Sequence, residues 1–420
     1  MIRFIHTGDL HLDTPFKGLS NVNQELAGRL KDATFRSFQR IIDICIEESV
    51  DFLLITGDIF DSEIQSLSAQ LRFEQELRRL SNHNIPAYFI CGNHDPLGSW
   101  LEELVLPPQV HRFGSKEVEC VTFEKEGKPF ADIYGISYGT KTENRNLADD
   151  YVRKKNPATF SIALLHGTIG SAGPHENYVP FRLEDVKSKG FDYWALGHIH
   201  KHHVVHAAHL VIVYPGNPQG RDFGEAGPRG CYRVTLSENQ ATDVEFIPTQ
   251  FIRFEEVDVD LSGLDSIGEL SGRIHSAVEK ITGSGYNESC ILRLTLKGRT
   301  SLHGLLHRPE ETNDLLNLLN EGQLQHDRFT LFDQIVLQTL PDVNLDELKE
   351  ANDFTAEILK SFDRLESDQA QLTELFSVLE QEFGSQPAKR ELEDLTEEEK
   401  KQILENARWQ LLDQLIKDNS

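Results

Sequence analysis

Basic residues are scarce in this chain, and so are the residues that cross-link small folds. Its five cysteines, Cys45, Cys91, Cys120, Cys231 and Cys290, stand far apart with no Cys-x-x-Cys pair. That spacing argues against a zinc ribbon or a disulfide framework. Most of these thiols sit in apolar contexts such as Phe89-Ile90-Cys91, as reduced buried cysteines do. No apolar run approaches the ~20 residues that span a bilayer. The opening Met1-Ile2-Arg3-Phe4-Ile5-His6 reads as a strand entering a motif, not as a signal peptide. The sequence predicts a soluble, cytoplasmic protein without a membrane partner.

Lys and Arg number 42 against 68 Asp and Glu, a net charge of −26. Such acidity by itself disfavours a polyanionic partner. The imbalance is uneven, with 25 basic against 33 acidic residues in 1–250, 8 against 14 in 251–340 and 9 against 21 in 341–420. Several acids of the first segment belong to the motifs described below, so total charge does not decide whether nucleic acid binds.

At 420 residues the chain exceeds one ordinary domain. Residues 1–250 alternate short apolar strands with amphipathic helices. Strand runs at 51–56, 86–90, 161–165 and 193–196 each end in polar residues, where α/β proteins place their chemistry. Leu30–Glu48 and Ser66–Ser81 carry apolar residues at helical spacing, Phe35, Phe38, Ile41, Ile42 and Cys45 in the first. Residues 251–300 read as strand, helix, strand, which suits a small α+β cap domain over 251–340. Residues 341–420 form an acidic helical tail with an apolar stripe, Ile403, Ala407, Leu411, Leu415 beside Leu404, Leu412, Ile416. Gly384-Ser385-Gln386-Pro387 marks a break between its helices. The stripe suits docking on a partner's coiled coil or folding back on the chain itself.

Five clusters carry the chemistry: Asp9-Leu10-His11, Gly57-Asp58-Ile59-Phe60-Asp61, Gly92-Asn93-His94-Asp95, Leu165-His166-Gly167 and Gly197-His198-Ile199-His200. Each follows an apolar run and contributes Asp, Asn or His. Carboxylate and amide oxygens mixed with imidazoles suit Mn²⁺, Fe²⁺ or Zn²⁺. In extended chain residues i and i+2 point the same way, so Asp9 and His11 can grip one ion. His198 and His200 share that spacing, although a loop can send them to separate ions. Asp58 can bridge two ions, which at ~3.5–4 Å apart share a hydroxide nucleophile and clamp the phosphate. Any one pair is weak; five clusters in strand-to-loop contexts are strong.

In their order and spacing these clusters resemble the calcineurin-like metallophosphoesterases, most closely the SbcD branch of DNA-repair nucleases. Tyr214-Pro215-Gly216-Asn217-Pro218-Gln219-Gly220-Arg221 with Gly230-Cys231-Tyr232 is similar to the YhaO-type subgroup. The resemblance covers residues 1–250 by motif and the remainder only by architecture. It implies a four-layer α/β/β/α sandwich with a cap and a helical tail. It also implies that Asp9, His11, Asp58 and His200 hold one metal, and that Asp58, Asn93, His166 and His198 hold the other, most commonly as Mn²⁺. His94 would stabilise the phosphate or protonate the leaving oxygen, with Asp61 supporting it, while Asp95 would anchor the loop. The expected activity is DNA exonuclease or endonuclease cleavage, as the nuclease subunit of an SbcC-like or YhaN-like coiled-coil ATPase. The resemblance further implies a homodimer through helices near Leu26–Ile42 and Ile64–Leu80.

Arg221 and Arg229 are candidate phosphate contacts, or else the solvated arginines of a tight turn. Arg153-Lys154-Lys155 and Lys187, Lys189 and Lys201 are either backbone-binding patches or solvated surface. No aromatic-interleaved platform for single strands is visible. The same metal core also serves phosphomonoesterases and cyclic-nucleotide phosphodiesterases, and an inactive scaffold could keep the fold. The intact ligand set opposes the scaffold, and the cap and tail oppose a small-molecule phosphatase.

Overall fold

The computed structural model describes residues 1–14, 16, 19, 24–61, 66–99, 105–154, 160–170, 179–238, 242–283, 288–351, 353–382 and 395–418. It begins with β1 (Ile2–Thr7), α1 (Gln24–Glu47), β2 (Phe52–Thr56), α2 (Leu67–Asn82), β3 (Ala87–Ile90), β4 (Val110–Arg112), β5 (Glu119–Lys125) and β6 (Lys128–Gly135). Next come β7 (Phe160–His166), β8 (Thr168–Ile169), β9 (Pro180–Phe181), α3 (Leu183–Lys187), β10 (Tyr193–Gly197), β11 (His203–Ala207), β12 (Val211–Tyr214), β13 (Gly230–Leu236) and β14 (Asp243–Pro248). β15 (Ile252–Asp260), α4 (Ile267–Thr282), β16 (Ser289–Thr300), α5 (His303–Leu306), α6 (Pro309–Asn320) and β17 (Thr330–Pro341) follow. The chain closes with α7 (Leu345–Glu350), α8 (Phe354–Ser367), α9 (Gln369–Glu382) and α10 (Glu397–Asp418).

These elements form two compact units, one of Met1–Asp258, Ser276–Thr295 and Asn313–Val336, the other of the remaining segments. The first unit holds two six-stranded sheets, ordered β14-β13-β1-β2-β3-β4 and β11-β12-β10-β7-β6-β5. β1, β2 and β3 run parallel, as do β6, β7 and β10. Parallel strands covered on both faces need continuous apolar runs, and Phe52-Leu53-Leu54-Ile55-Thr56 is buried throughout. The pleat sends Phe4, Phe52 and Leu54 of one sheet against Ile162, Leu164 and Ala195 of the other. The opposite face of the first sheet, with Leu53 and Ile55, packs under Phe38, Ile41, Ile42 and Cys45 of α1 and Phe73 and Leu77 of α2. Truncating such a fully buried phenylalanine costs about 3–5 kcal/mol. On the far side of the second sheet, Trp194 and Leu196 meet Tyr151, Val186 and Phe191. The result is the expected α/β/β/α sandwich.

Ser66 caps α2, its hydroxyl accepting the Ala69 N–H at 3.1 Å. Helix α1 also buries Leu26, Leu30 and Ala33 against Ile252, Phe254, Ile291, Phe329 and Leu331. Strands β15, β16 and β17 pair in that order as a third sheet.

In the second unit Leu404 of α10 packs with Leu372 and Phe376 of α9. Of the predicted stripe, Leu404 and Leu412 are buried, whereas Ile403 and Ala407 are exposed. The side chain of Ile416, the break at Gly384–Pro387, Lys155 and Ile64 lie outside the described residues. Among the described residues no helix is long and apolar enough to cross a membrane.

Candidate metal centre

Strand geometry delivers the polar clusters to one rim. β1 ends before Asp9 and His11, β2 before Asp58, β3 before Asn93 and His94, β7 at His166, and β10 before His198 and His200. The donors therefore come from the carboxyl ends of parallel strands in both sheets of the sandwich.

The local backbone is unusual. Asp9, His11, Asp58 and His198 have φ of 49°, 43°, 50° and 94°. Left-handed non-glycine residues cost energy and cluster at functional sites. The extended i, i+2 geometry expected for Asp9 and His11 is thus corrected: both converge, but through left-handed turns. Gly57 makes the approach possible, since its φ is +90° and a Cβ there would stand 2.7 Å from His166 Nδ1.

The predicted donors fall into two groups, beside a third cluster of His11, Asp61 and His94. Ligand atoms of Asp9, His11 and His200 all lie within 4.8 Å of one another, as do those of Asp58, His166 and His198. Asn93 joins the second group, its Oδ1 2.9 Å from His166 Nε2 and 3.2 Å from His198 Nδ1. Asp58 Oδ2 lies between the groups, 3.3 Å from His166 Nε2 and 4.0 Å from His11 Nε2. The structure therefore brings together all seven predicted donors, and sends His198 and His200 to different groups.

Each of three imidazoles is fixed from behind. His166 Nδ1 faces the Thr56 carbonyl at 2.8 Å, His11 Nδ1 faces Asp61 Oδ1 at 3.3 Å, and His200 Nδ1 faces Glu225 Oε1 at 2.6 Å. Donating through Nδ1 turns Nε2 toward the shared space with its lone pair, as metal-binding histidines require. Burial raises the Asp9 carboxyl, since a charge there lacks water. Burial lowers His11 to about 4 and His198 to about 3. Burial also opposes charge on the Asp58–His166 pair, yet their mutual attraction wins, raising His166 to about 9 and lowering Asp58. His11 and His198 are thus neutral with free lone pairs beside buried carboxylate and amide oxygens, and this donor set fits two divalent cations.

The family profile for calcineurin-like phosphoesterases matches residues 2–202, and that for the middle domain of metallophosphoesterase YhaO matches residues 254–340. The uncharacterized metallophosphoesterase YhaO of Bacillus subtilis is 35% identical over 415 residues, covering 99% of this chain and 98% of that protein. The chain is a calcineurin-like metallophosphoesterase with a YhaO middle domain. It is also similar to the DNA double-strand break repair protein Mre11 of Sulfolobus acidocaldarius, 30% identical over 47% of this chain and 50% of that protein. The Mre11 protein of Sulfurisphaera tokodaii is 29% identical over 51% of this chain and 54% of its own. These matches span about half the length of each Mre11 protein.

Around the metallophosphoesterase centre the remaining predicted residues take distinct places. His94 is 44% exposed at the mouth, its Nδ1 2.6 Å from Asp61 Oδ1. That hydrogen bond raises the His94 pKa. Asp61 also accepts from the Thr14 hydroxyl at 2.6 Å and stays below the usual carboxylate range, burial being outweighed by His11 and His94. Asp95 accepts the Gly92 and Ile59 N–H groups at 2.7 and 2.8 Å, so it anchors the loop. Arg221 stands between two carboxylates, Nη1 3.7 Å from Asp61 and Nη2 3.0 Å from Glu225. Arg229 is buried and gives its guanidinium to the Glu225, Ala226 and His200 carbonyls and to Asn217 Oδ1. It braces the loop from inside, and its donors face the backbone rather than the mouth. Arg153 engages Gly190 O and Asp192, and Lys189 engages Asp149 O.

Glu225 is a neighbour of the candidate centre that sequence reading missed. It lies in a Gly-rich turn outside the five clusters, where a lone acid carries no signal. Its position behind His200 depends on the fold of the 216–230 loop.

Proposed function

We propose that this metallophosphoesterase is a DNA phosphodiesterase, acting as an exonuclease or endonuclease. The observation that carries the reading is His94: an Asp61-backed imidazole at the open face of two buried donor groups. Its similarity to proteins named for DNA double-strand break repair supports DNA as the polymer.

Asp9, His11 and His200 would hold one divalent ion and Asn93, His166 and His198 the other, with Asp58 between them. The mixed carboxylate, amide and imidazole donors suit Mn²⁺. When bound, the ions supply polarisation of phosphate oxygens and activation of water. The chain's own residues do the rest. The Asp61 hydrogen bond keeps His94 protonated further toward neutral pH, so it can donate to the leaving sugar oxygen or to the crowded phosphate. Arg221, held by Asp61 and Glu225, presents positive charge beside the His200 group, where a phosphate oxygen would sit.

The physiological setting we infer is a complex with an SbcC-like or YhaN-like coiled-coil ATPase, which the exposed Ile403–Ala407 edge of α10 could meet. Homodimerisation through α1 and α2 belongs to the same proposal, and Leu67 and Leu71 on α2 are exposed. The test is an Mn²⁺-dependent assay on linear duplex, hairpin and circular single-stranded DNA beside chromogenic phosphodiester and phosphomonoester. DNA cleavage that a chelator abolishes is expected. Turnover of the monoester alone would overturn the reading.

A further inference from the structure

A second concave site lies in the same unit as the metal centre. It is a cleft of about 600 Å³ between α1 and the starts of β15, β16 and β17, lined by Arg29, Arg36, Phe251, Asp327, Arg328 and Phe329 among others. Three guanidinium groups and the Asp327 carboxylate line it, with Glu25 paired to Arg29 at 3.2 Å and Glu288 beside Arg328. Of the three, Arg36 is the one whose guanidinium rests on an aromatic ring rather than on a carboxylate or carbonyl of the cleft.

The cleft is assembled. Arg29 donates to the carbonyls of Leu324 and His326 at 2.8 and 2.7 Å, which fixes the segment carrying Arg328. Arg36 lies over the Phe251 ring at 4.1 Å, and no carboxylate among the described residues forms an ion pair with it. Phe329 forms the buried floor, with Arg29 above it at 5.4 Å. Guanidinium groups held over aromatic rings offer both of the contacts that a nucleic-acid strand uses, charge for phosphate and a flat face for a base.

The cleft also connects to the metal centre. Gln219 Oε1 accepts the Phe251 N–H at 2.8 Å, the Gln219 carbonyl accepts the Asn217 amide at 2.9 Å, and the Asn217 N–H donates to His200 O at 3.2 Å. One short loop therefore touches both the cleft wall and a metal-donor residue.

We propose that this cleft is an accessory site for the sugar-phosphate backbone of a nucleic-acid strand whose cleavage point lies at the metal centre. The inference rests on the DNA reading above. Arg36 and Arg328 contact phosphate, and Arg29 shapes the site.

The test measures binding of a labelled single-stranded oligonucleotide by anisotropy across a salt series. The full chain carries His94→Gln so that the strand stays whole. Adding Arg36→Glu or Arg328→Glu should weaken binding on the order of ten-fold, and each should flatten the logarithmic salt slope by ~0.7, the share of one single-strand phosphate. Lys128→Glu, the same reversal on the β5–β6 hairpin, controls for net charge and should change affinity less than two-fold. Arg36 and Arg328 are exposed, so folding does not confound the result. Parent-like affinity and slope in both variants would overturn the cleft while leaving the DNA reading intact. A parent protein that hydrolyses a chromogenic phosphodiester but binds no oligonucleotide would overturn both. Binding of polyglutamate in place of the oligonucleotide would mark an acidic protein as the occupant, and would overturn the proposal too.

Discussion

Glu225 Oε1 stands 2.6 Å from His200 Nδ1, while its Oε2 accepts from Asn217 Nδ2 at 2.8 Å. The carboxylate thus sets the ring of a proposed metal donor and ties it to the loop behind. Removing a partner of this kind costs roughly 10–100-fold in metal affinity. Glu225→Ala should weaken Mn²⁺ binding by that amount in calorimetry, with turnover largely recovered at saturating metal. Glu225→Gln should fall between. Unchanged affinity in both variants would assign Glu225 to loop structure alone.

His94→Gln should retain both ions and lose ~10²–10⁴ in turnover on DNA, the usual share of a general acid. The loss should be much smaller on a nitrophenyl phosphodiester, whose leaving group needs no proton. An equal loss on both substrates would place His94 at the phosphate rather than at the leaving oxygen.

Much of this centre was legible because parallel strands buried on both faces must be continuously apolar. Runs such as Phe52–Thr56 and Tyr193–Leu196 therefore announce where polar residues emerge. The donors at Asp58, Asn93, His166 and His198 sit at those exits. Edge and hairpin strands gave no comparable signal: β5 is only partly buried along its length, and the antiparallel β13–β14 pair was not singled out. The left-handed turns at Asp9 and His11 were also hidden, since Asp-Leu-His does not advertise a positive φ. Arg36 and Phe251 are 215 positions apart in the chain, so no local pattern could have paired them.

Asn93 touches His166 and His198 but neither His11 nor His200 in the contacts of this site. Asn93→Ala should therefore cost one metal equivalent by atomic absorption and leave the Asp9–His11–His200 group loaded. Nearly all turnover should vanish. Loss of both equivalents would mean that the two groups fill only together.

His6, beneath the centre, is wholly buried, its Nδ1 2.9 Å from the Tyr193 hydroxyl. Burial lowers its pKa from 6.5 to about 3. In the unfolded chain the ring takes a proton below pH ~6.5, while in the folded chain it stays neutral down to about 3. Its contribution is therefore complete above the unfolded value and is lost as pH falls through that window, at about 1.4 kcal/mol per pH unit. Urea unfolding of metal-free protein between pH 6 and 4.5 should show a shallower pH dependence for His6→Asn than for the parent. Parallel slopes would exclude His6 as a source of acid sensitivity.

The origin of the donors in two sheets has a mechanical consequence. A cation pair held, as proposed, by residues that follow β1, β2 and β3 on one side and β7 and β10 on the other would work as a clasp at one end of the sandwich. Sliding or splaying of the layers would have to open that clasp first. Loading the ions should therefore slow amide exchange most at the strand ends nearest the rim, and leave the opposite ends of the same strands nearly untouched.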